Sequence, residues 1–261
     1  MKELKKYSLD LCLVAKEYPK DGYVLLKLKN SAGKLPEMRA GQFVELLIAG
    51  SSETFLRRPI SINYIDKEND ELWMLIHIVG NGTKYMSELN PGDTINCVLP
   101  LGNGFSIPEG QGKKVLLVGG GVGTAPLLYY GKCLKEVGHT PSFLLGGRSA
   151  CDLMQLDLFA AIGNVYTTTE DATMGEKGFV TNHSILNKEQ FDLIATCGPK
   201  PMMKAVAAWA RTVNCECEVS LENMMACGVG ACLCCVEKDG EGHNVCVCKE
   251  GPVFNSKKLN W

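Results

Sequence analysis

Apolar and polar positions alternate in short runs over the first hundred residues. YVLLKLK (23–29), QFVELLI (42–48), ISINYID (60–66), ELWMLIHIV (71–79) and TINCVL (94–99) are rich in β-branched and aromatic residues. Gly, Pro, Asn and Asp punctuate them, as at Pro91-Gly92-Asp93. Such evenly spaced runs, with no long helical period between them, predict an N-terminal antiparallel β-barrel over residues 1–105. The pattern changes at KKVLLVGGGVGTAPLLYYGKCLKEVG (113–138), where a continuous apolar strand enters a glycine turn and then a helical period. Strand-like PSFLLGG (141–147), NVYTTTED (164–171) and FDLIATCG (191–198) then alternate with helix-like DLMQLDLFAAI (152–162) and PMMKAVAAWARTV (201–213). Alternation of this kind predicts βαβ units and a central parallel α/β nucleotide-binding domain over 106–218. A short segment, 219–261, remains. The fold class is β followed by α/β, with this small C-terminal appendage.

Composition narrows the function. The 261 residues suffice for two moderate domains and an appendage. A net charge of −2 gives no footprint for nucleic acid and no polybasic membrane patch. No apolar run reaches the roughly 18 residues of a membrane span. The start, MKELKKYSLD, is basic but lacks the apolar stretch of a signal peptide. Of 13 cysteines, Cys12, Cys97, Cys133, Cys151 and Cys197 are scattered singly, and the others fall between 215 and 248. A dense local group suits metal ligation in a reducing cytoplasm better than disulfide bridges spread through a secreted chain.

Cys227, Cys232 and Cys235, in MACGVGACLCC, have the C-x4-C-x2-C spacing of a plant-type [2Fe–2S] site. Two irons with two terminal sulfur ligands each require a fourth thiolate. Cys246 and Cys248, in CVC, are both candidates and would share one face of a strand. Gly228, Gly230 and Ala231 are small enough to let backbone amides approach the sulfides. Cys234 would point away from its neighbour Cys235, and Cys215 and Cys217 read as strand residues rather than ligands. The alternative metal is zinc, whose structural sites favour two C-x2–4-C knuckles.

The turn Gly119-Gly120-Gly121-Val122-Gly123-Thr124 ends a strand and opens a helix, where backbone can approach a pyrophosphate. It is not a clean G-x-G-x-x-G, because Pro126 takes the last glycine position; a ligand-free tight turn is the alternative. The next strand ends at Arg148, with Asp152 close behind, a weak lean to NAD over NADP. Arg57-Arg58-Pro59-Ile60-Ser61 offers bidentate contacts to a phosphate and a hydroxyl to a nearby ring. Alone, it could equally be a solvated charge pair.

Taken together, RPIS in a predicted barrel, Gly82-Thr83 after a strand, GGGVGTAPL and CGPKPMM resemble the ferredoxin-NADP reductase superfamily. ACGVGACLCCV followed by CKEGPVF further resembles the electron-transfer subunits of NAD-dependent dihydroorotate dehydrogenase, the PyrK family. The resemblance runs in order along essentially the whole chain. It implies an FAD-binding barrel in which Arg58, Pro59, Ile60 and Ser61, together with Leu75, Ile76 and His77, contact the flavin, and Gly82 and Thr83 serve its diphosphate. His77 stands where the family often has arginine. Gly120, Gly121, Val122, Gly123 and Thr124 would face the phosphates of NAD, with Cys197, Gly198 and Pro199 beside the nicotinamide. Among the candidate fourth ligands the resemblance favours Cys248, which gives Cys227, Cys232, Cys235 and Cys248. The implied partner is an FMN-containing catalytic subunit in a heterotetramer of two plus two, with electrons passing through [2Fe–2S] and FAD to NAD in pyrimidine biosynthesis. Two alternatives remain at this stage: an NAD(P)H reductase subunit of a hydrogenase, sulfite reductase or ferredoxin-linked complex, and a non-catalytic iron–sulfur redox sensor.

Overall fold

The computed structural model describes residues 5–49 and 54–261; residues 1–4 of the basic start lie outside it. Its first sheet takes β1 (Tyr7–Glu17), β2 (Tyr23–Lys29), β3 (Phe43–Leu46), β4 (Arg58–Ser61), β5 (Tyr64–Asp66) and β6 (Glu71–His77). After helix α1 (Asn81–Glu88), β7 (Thr94–Leu101) completes it. The order is β4-β3-β7-β1-β2-β6-β5, with every pairing antiparallel. The sheet curls until β4 packs against β6, an antiparallel half-barrel where the sequence predicts a barrel. Leu11, Leu13, Val24, Leu26 and Met74 fill its interior.

Two elements depart from the sequence reading. β1 alternates Leu9, Leu11 and Leu13 with Ser8, Asp10 and Cys12, so it is a strand that the sequence reading passed over. The run 60–66 is two strands, β4 and β5, because the chain breaks at Ile62 and Asn63. Helix α1 interrupts what was expected to be all strand. Thr83 Oγ1 accepts from the N–H groups of Val79 and Gly80 (2.9 and 3.1 Å), satisfying amides that a helix start leaves open.

The second sheet begins with β8 (Lys114–Gly120), α2 (Ala125–Glu136), β9 (Thr140–Gly147), α3 (Leu156–Ile162) and β10 (Asn164–Thr169). It continues through β11 (Glu176–Lys177), α4 (Ile185–Lys188), β12 (Leu193–Cys197), α5 (Lys200–Thr212) and β13 (Glu216–Ser220). A β-ribbon of β14 (Val236–Lys238) and β15 (Asn244–Cys246), a short helix α6 (Val247–Glu250) and β16 (Val253–Asn255) end the chain. The order is β11-β10-β9-β8-β12-β13-β16, parallel except for β16, which returns antiparallel to β13. The chain leaves β8 towards β9 on one side and comes back to β12 on the other. That switch point opens a crevice at the carboxyl ends of β8 and β12, the usual ligand position in such sheets. Pro126 sits in the first turn of α2, where its missing N–H costs nothing, so the irregular glycine motif still starts a helix. No helix among the described residues is long and apolar enough to cross a membrane.

The two sheets are joined by polar contacts that fix their spacing. Asn63 Nδ2 donates to the Ala125 carbonyl (3.0 Å) and to Gln155 Oε1 (3.1 Å). Lys20 pairs with Asp152, and the Ser106 amide donates to Glu218 Oε2 (3.0 Å).

Candidate functional site

The cysteine loop is shaped by residues that tolerate left-handed backbone. Gly228 (φ 66°) and Gly230 (φ 83°) turn the chain. A Cβ at Gly228 would stand 2.9 Å from Glu45 Cγ, and one at Gly230 would stand 2.8 Å from Lys249 Cδ. The loop amides therefore point inward, onto sulfur. Val229 and Ala231 N–H donate to Cys227 Sγ (3.5 and 3.3 Å), and Gly230 N–H donates to Cys248 Sγ (3.1 Å). Cys248 N–H in turn donates to Cys235 Sγ (3.3 Å).

The thiols fall into two pairs: Cys227 lies within hydrogen-bonding reach of Cys232, and Cys235 of Cys248. An all-sulfur donor set in two pairs, ringed by amides, fits a [2Fe–2S] group, which takes two terminal thiolates at each iron. Burial works to raise the Cys227 pKa, but the amides of Val229, Cys232 and Ala231 and the Cys232 thiol outweigh it and bring it to about 6. Burial pushes Cys248 the other way, to about 12.

Cys246 and Cys248 do not share a strand face, as the sequence reading had them. The strand β15 ends at Cys246 and the chain turns into α6, which carries Cys248 inward to 2 % exposure while Cys246 stays half-exposed. Cys217 is buried in β13 and the Cys215 thiol donates to the Phe191 carbonyl (3.1 Å), so neither approaches the loop.

A cavity of about 730 Å3 lies between β4, β6 and the segment leading to the cysteines. Arg58, Pro59, Ile60 and Ser61 line one side, and Leu75, Ile76 and His77 another. The opposite wall is Leu221 to Met225 with Cys234. Gly82 is buried beneath Arg58: a Cβ there would meet Arg58 Nε at 2.8 Å, so glycine is what lets the guanidinium lie flat. Arg58 Nη1 is steadied by the carbonyls of Leu56 (2.8 Å) and Arg57 (3.3 Å). Thr83 spends its hydroxyl on the cap of α1. Arg57, by contrast, ties β3 to β7 through the Glu45 carbonyl (3.3 Å) and the Asn96 carbonyl (3.1 Å). The His77 ring stacks on Tyr23 at 4.4 Å. The arginines at the rim (Arg57 and Arg58), an apolar floor and a hydroxyl on β4 fit a dinucleotide flavin with a charged diphosphate and a flat ring.

A second cavity of about 500 Å3 opens at the carboxyl ends of β8 and β9, lined by Gly120, Gly121, Gly147, Arg148, Pro199 and Met202. The β8–α2 turn serves both cavities: Gly120 and Gly121 face this one, whereas Val122 and Ala125 line the flavin-type cavity. Val122 is thus not at the phosphate position expected of it. Gly123 faces neither cavity; a Cβ there would stand 2.4 Å from Gly198 Cα, so its role is close packing of two strand ends. Thr124 is buried and donates to the Gly121 carbonyl (3.0 Å).

Cys197 is fully buried at the end of β12, and its thiol lies 3.9 Å from Glu222 Oε1. Glu222, not anticipated from sequence, lines the flavin-type cavity and is exposed there. Desolvation by the surrounding protein raises its pKa, and the Cys197 contact partly offsets the rise. The only sequence signal was a lone acid between β13 and the cysteine run.

Glu45 was also missed. It is 1 % exposed on β3, and neither carboxylate oxygen has a partner. Burial, opposed by Arg57 and reinforced by Cys227, lifts its pKa to about 7. The folded state therefore holds a proton that the unfolded chain releases near 4.5, and this stabilisation is lost as pH rises from 4.5 through 7. Between pH 5 and pH 8, Glu45→Gln is expected to gain about 2–3 kcal/mol relative to the parent. Melting curves across that range check it; a pH-independent difference would show that Glu45 stays ionised.

Residues 222–260 match the family model of the iron–sulfur cluster binding domain of dihydroorotate dehydrogenase B. The chain is 40% identical over 218 residues to the dihydroorotate dehydrogenase B (NAD(+)) electron transfer subunit of Shouchella clausii, covering 82% of this chain and 83% of the relative. Its counterpart from Caldanaerobacter subterraneus is 42% identical over 230 residues, covering 87% and 88%. Among solved structures, the NADH-dependent reduced ferredoxin-NADP oxidoreductase, a flavin-based electron-bifurcating enzyme, superposes with a TM-score of 0.85 at 30% identity, over 96% of this chain and 90% of that one. The ferredoxin reductase of carbazole 1,9a-dioxygenase shares the fold alone, with a TM-score of 0.65 at 18% identity over 82% and 67%.

Proposed function

Since the chain belongs to the family of electron-transfer subunits of dihydroorotate dehydrogenase B (NAD(+)), we propose that it connects a dihydroorotate-oxidising FMN subunit to NAD+ in pyrimidine biosynthesis. FAD, when bound, exchanges hydride with nicotinamide and single electrons with an iron–sulfur centre, which is the conversion this connection needs. The residues divide the work as follows. Arg58 holds the flavin diphosphate from the rim, and Leu75, Ile76 and Val122 keep water from the ring. Backbone at Gly120 and Gly121, near the start of α2, receives the NAD phosphates. Cys197 and Glu222, with Gly198 and Pro199, close the space where the nicotinamide meets the flavin. Cys227, Cys232, Cys235 and Cys248 are the cluster ligands. On this reading the chain divides at 1–105, 106–218 and 219–261.

One observation carries the proposal: the segment that runs into the cysteine loop, 221–225, walls the same cavity as β4 and β6. A one-electron site and a two-electron site then share a boundary inside one chain. On the outer side of the loop Val229 and Leu233 are exposed apolar residues, a surface suited to the catalytic subunit, with two copies of each subunit in the assembly. The cysteine segment's match to the dihydroorotate dehydrogenase B model favours this reading over a hydrogenase, sulfite reductase or ferredoxin-linked reductase.

Co-expression tests it. The chain should co-purify with an FMN-containing subunit, and dihydroorotate-dependent reduction of NAD+ should require both. Recovery of the chain with a hydrogenase or sulfite reductase subunit instead would overturn the proposal.

A further inference from the structure

The peptide between Cys232 and Cys235 has a face that the proposed function leaves unused. Leu233 is held at φ 61°, and the chain there sends neighbouring side chains to opposite sides. Leu233 is 63% exposed at the outer surface, Cys234 lines the flavin-type cavity, and Cys235 is 1% exposed in the core. The Cys234 amide donates to Cys232 Sγ at 3.5 Å. One hydrogen bond and the N–Cα–Cβ–Sγ bonds of a single residue therefore join a proposed ligand sulfur to the cavity. Other residues on this wall have longer connections. Met225 precedes Cys227 by two residues, and Pro252 follows Cys248 by four. Asn223 reaches the Cys235 carbonyl (3.5 Å), not a sulfur.

The geometry points to Cys234 as the side chain through which single electrons cross between the cluster and the flavin, a role that rests on the assignment of those two sites above. One electron leaves the reduced centre and arrives on the oxidised one. No bond forms or breaks, and Cys234 itself is neither oxidised nor reduced. A polarisable sulfur in contact with the cavity contents suits the task. It also gives a purpose to a thiol that the [2Fe–2S] ligand set does not use.

Alkylation of the cluster-containing protein tests the placement. The FAD-loaded protein and the same preparation depleted of FAD are treated with iodoacetamide and mapped by peptide mass spectrometry. Cys151, exposed and outside this cavity, is the control and should be labelled in both. Cys234 should be labelled only when FAD is absent. Cys234→Ala and Cys234→Ser then test the passage, by freeze-quench electron paramagnetic resonance after mixing with NADH. The alanine variant should reduce its cluster severalfold more slowly than the parent, and the serine variant should be intermediate, at parental FAD content, iron content and cluster potential. Equal labelling of Cys234 with FAD bound, or an unchanged rate in Cys234→Ala, would overturn the inference. If the alanine variant does not assemble its cluster, the serine variant carries the kinetic comparison and the labelling result stands on the parent. A protein that binds no FAD would instead contradict the function proposed above.

Discussion

Cys248→Ser is expected to remove the electron paramagnetic resonance signal of the reduced cluster and most of the bound iron and sulfide, whereas Cys246→Ser should keep all three. The expectation follows from where the chain leaves β15. Cys248 rides into the core on α6, with its sulfur receiving the Gly230 amide and lying beside Cys235. Cys246 remains on the ribbon, its amide held by Glu250 Oε1 (2.9 Å). A serine hydroxyl is harder and shorter than a thiolate, a poor match for a site built from sulfur and backbone amides. An intact signal in Cys248→Ser, with loss in Cys246→Ser, would exchange the two ligands.

The second large effect is expected at the flavin rim. Arg58→Ala deletes the cation on that wall whose guanidinium is not tied to β3 and β7, while leaving β4 paired to β3 through backbone alone. A hydrogen bond from a charged group contributes about 1.5–3 kcal/mol. The dissociation constant for FAD should therefore rise about ten- to hundredfold, at 1.4 kcal/mol per decade. Fluorescence titration of the FAD-depleted protein reads it directly. Arg57→Ala separates this from a general loss of positive charge: its guanidinium is engaged by carbonyls of β3 and β7, so stability should fall more than affinity. Unchanged FAD affinity in Arg58→Ala would make that arginine a surface charge.

Much of this architecture was legible in the chain because each sheet announces its own period. Half-buried barrel strands alternate, buried parallel strands run continuously apolar, and the cysteine spacing is specific. The failures have physical causes. Glu45 in FVEL should have been a solvent-facing residue, but both faces of β3 are covered, the second by the cysteine loop at Gly228. Alternation cannot report a lid contributed from nearly two hundred residues away. Val122 was grouped with the phosphate-facing glycines because a sequence shows one turn; in space that turn separates two cavities and serves each with different residues. Cys246 and Cys248 looked equivalent because two-residue spacing puts side chains on one face of a strand, and only the turn into α6 distinguishes them. Glu222 gains its meaning from the buried Cys197 behind it, a contact between separate strand ends.

The central claim is that one chain joins NAD(H), FAD and the cluster in a single electron path. Anaerobic titration of the isolated FAD-loaded, cluster-containing protein with NADH, followed by absorbance and electron paramagnetic resonance together, tests it most directly. The account expects flavin bleaching and the appearance of the reduced-cluster signal from the same additions of NADH. Flavin bleaching with a cluster that stays oxidised, although dithionite reduces it, would contradict the account.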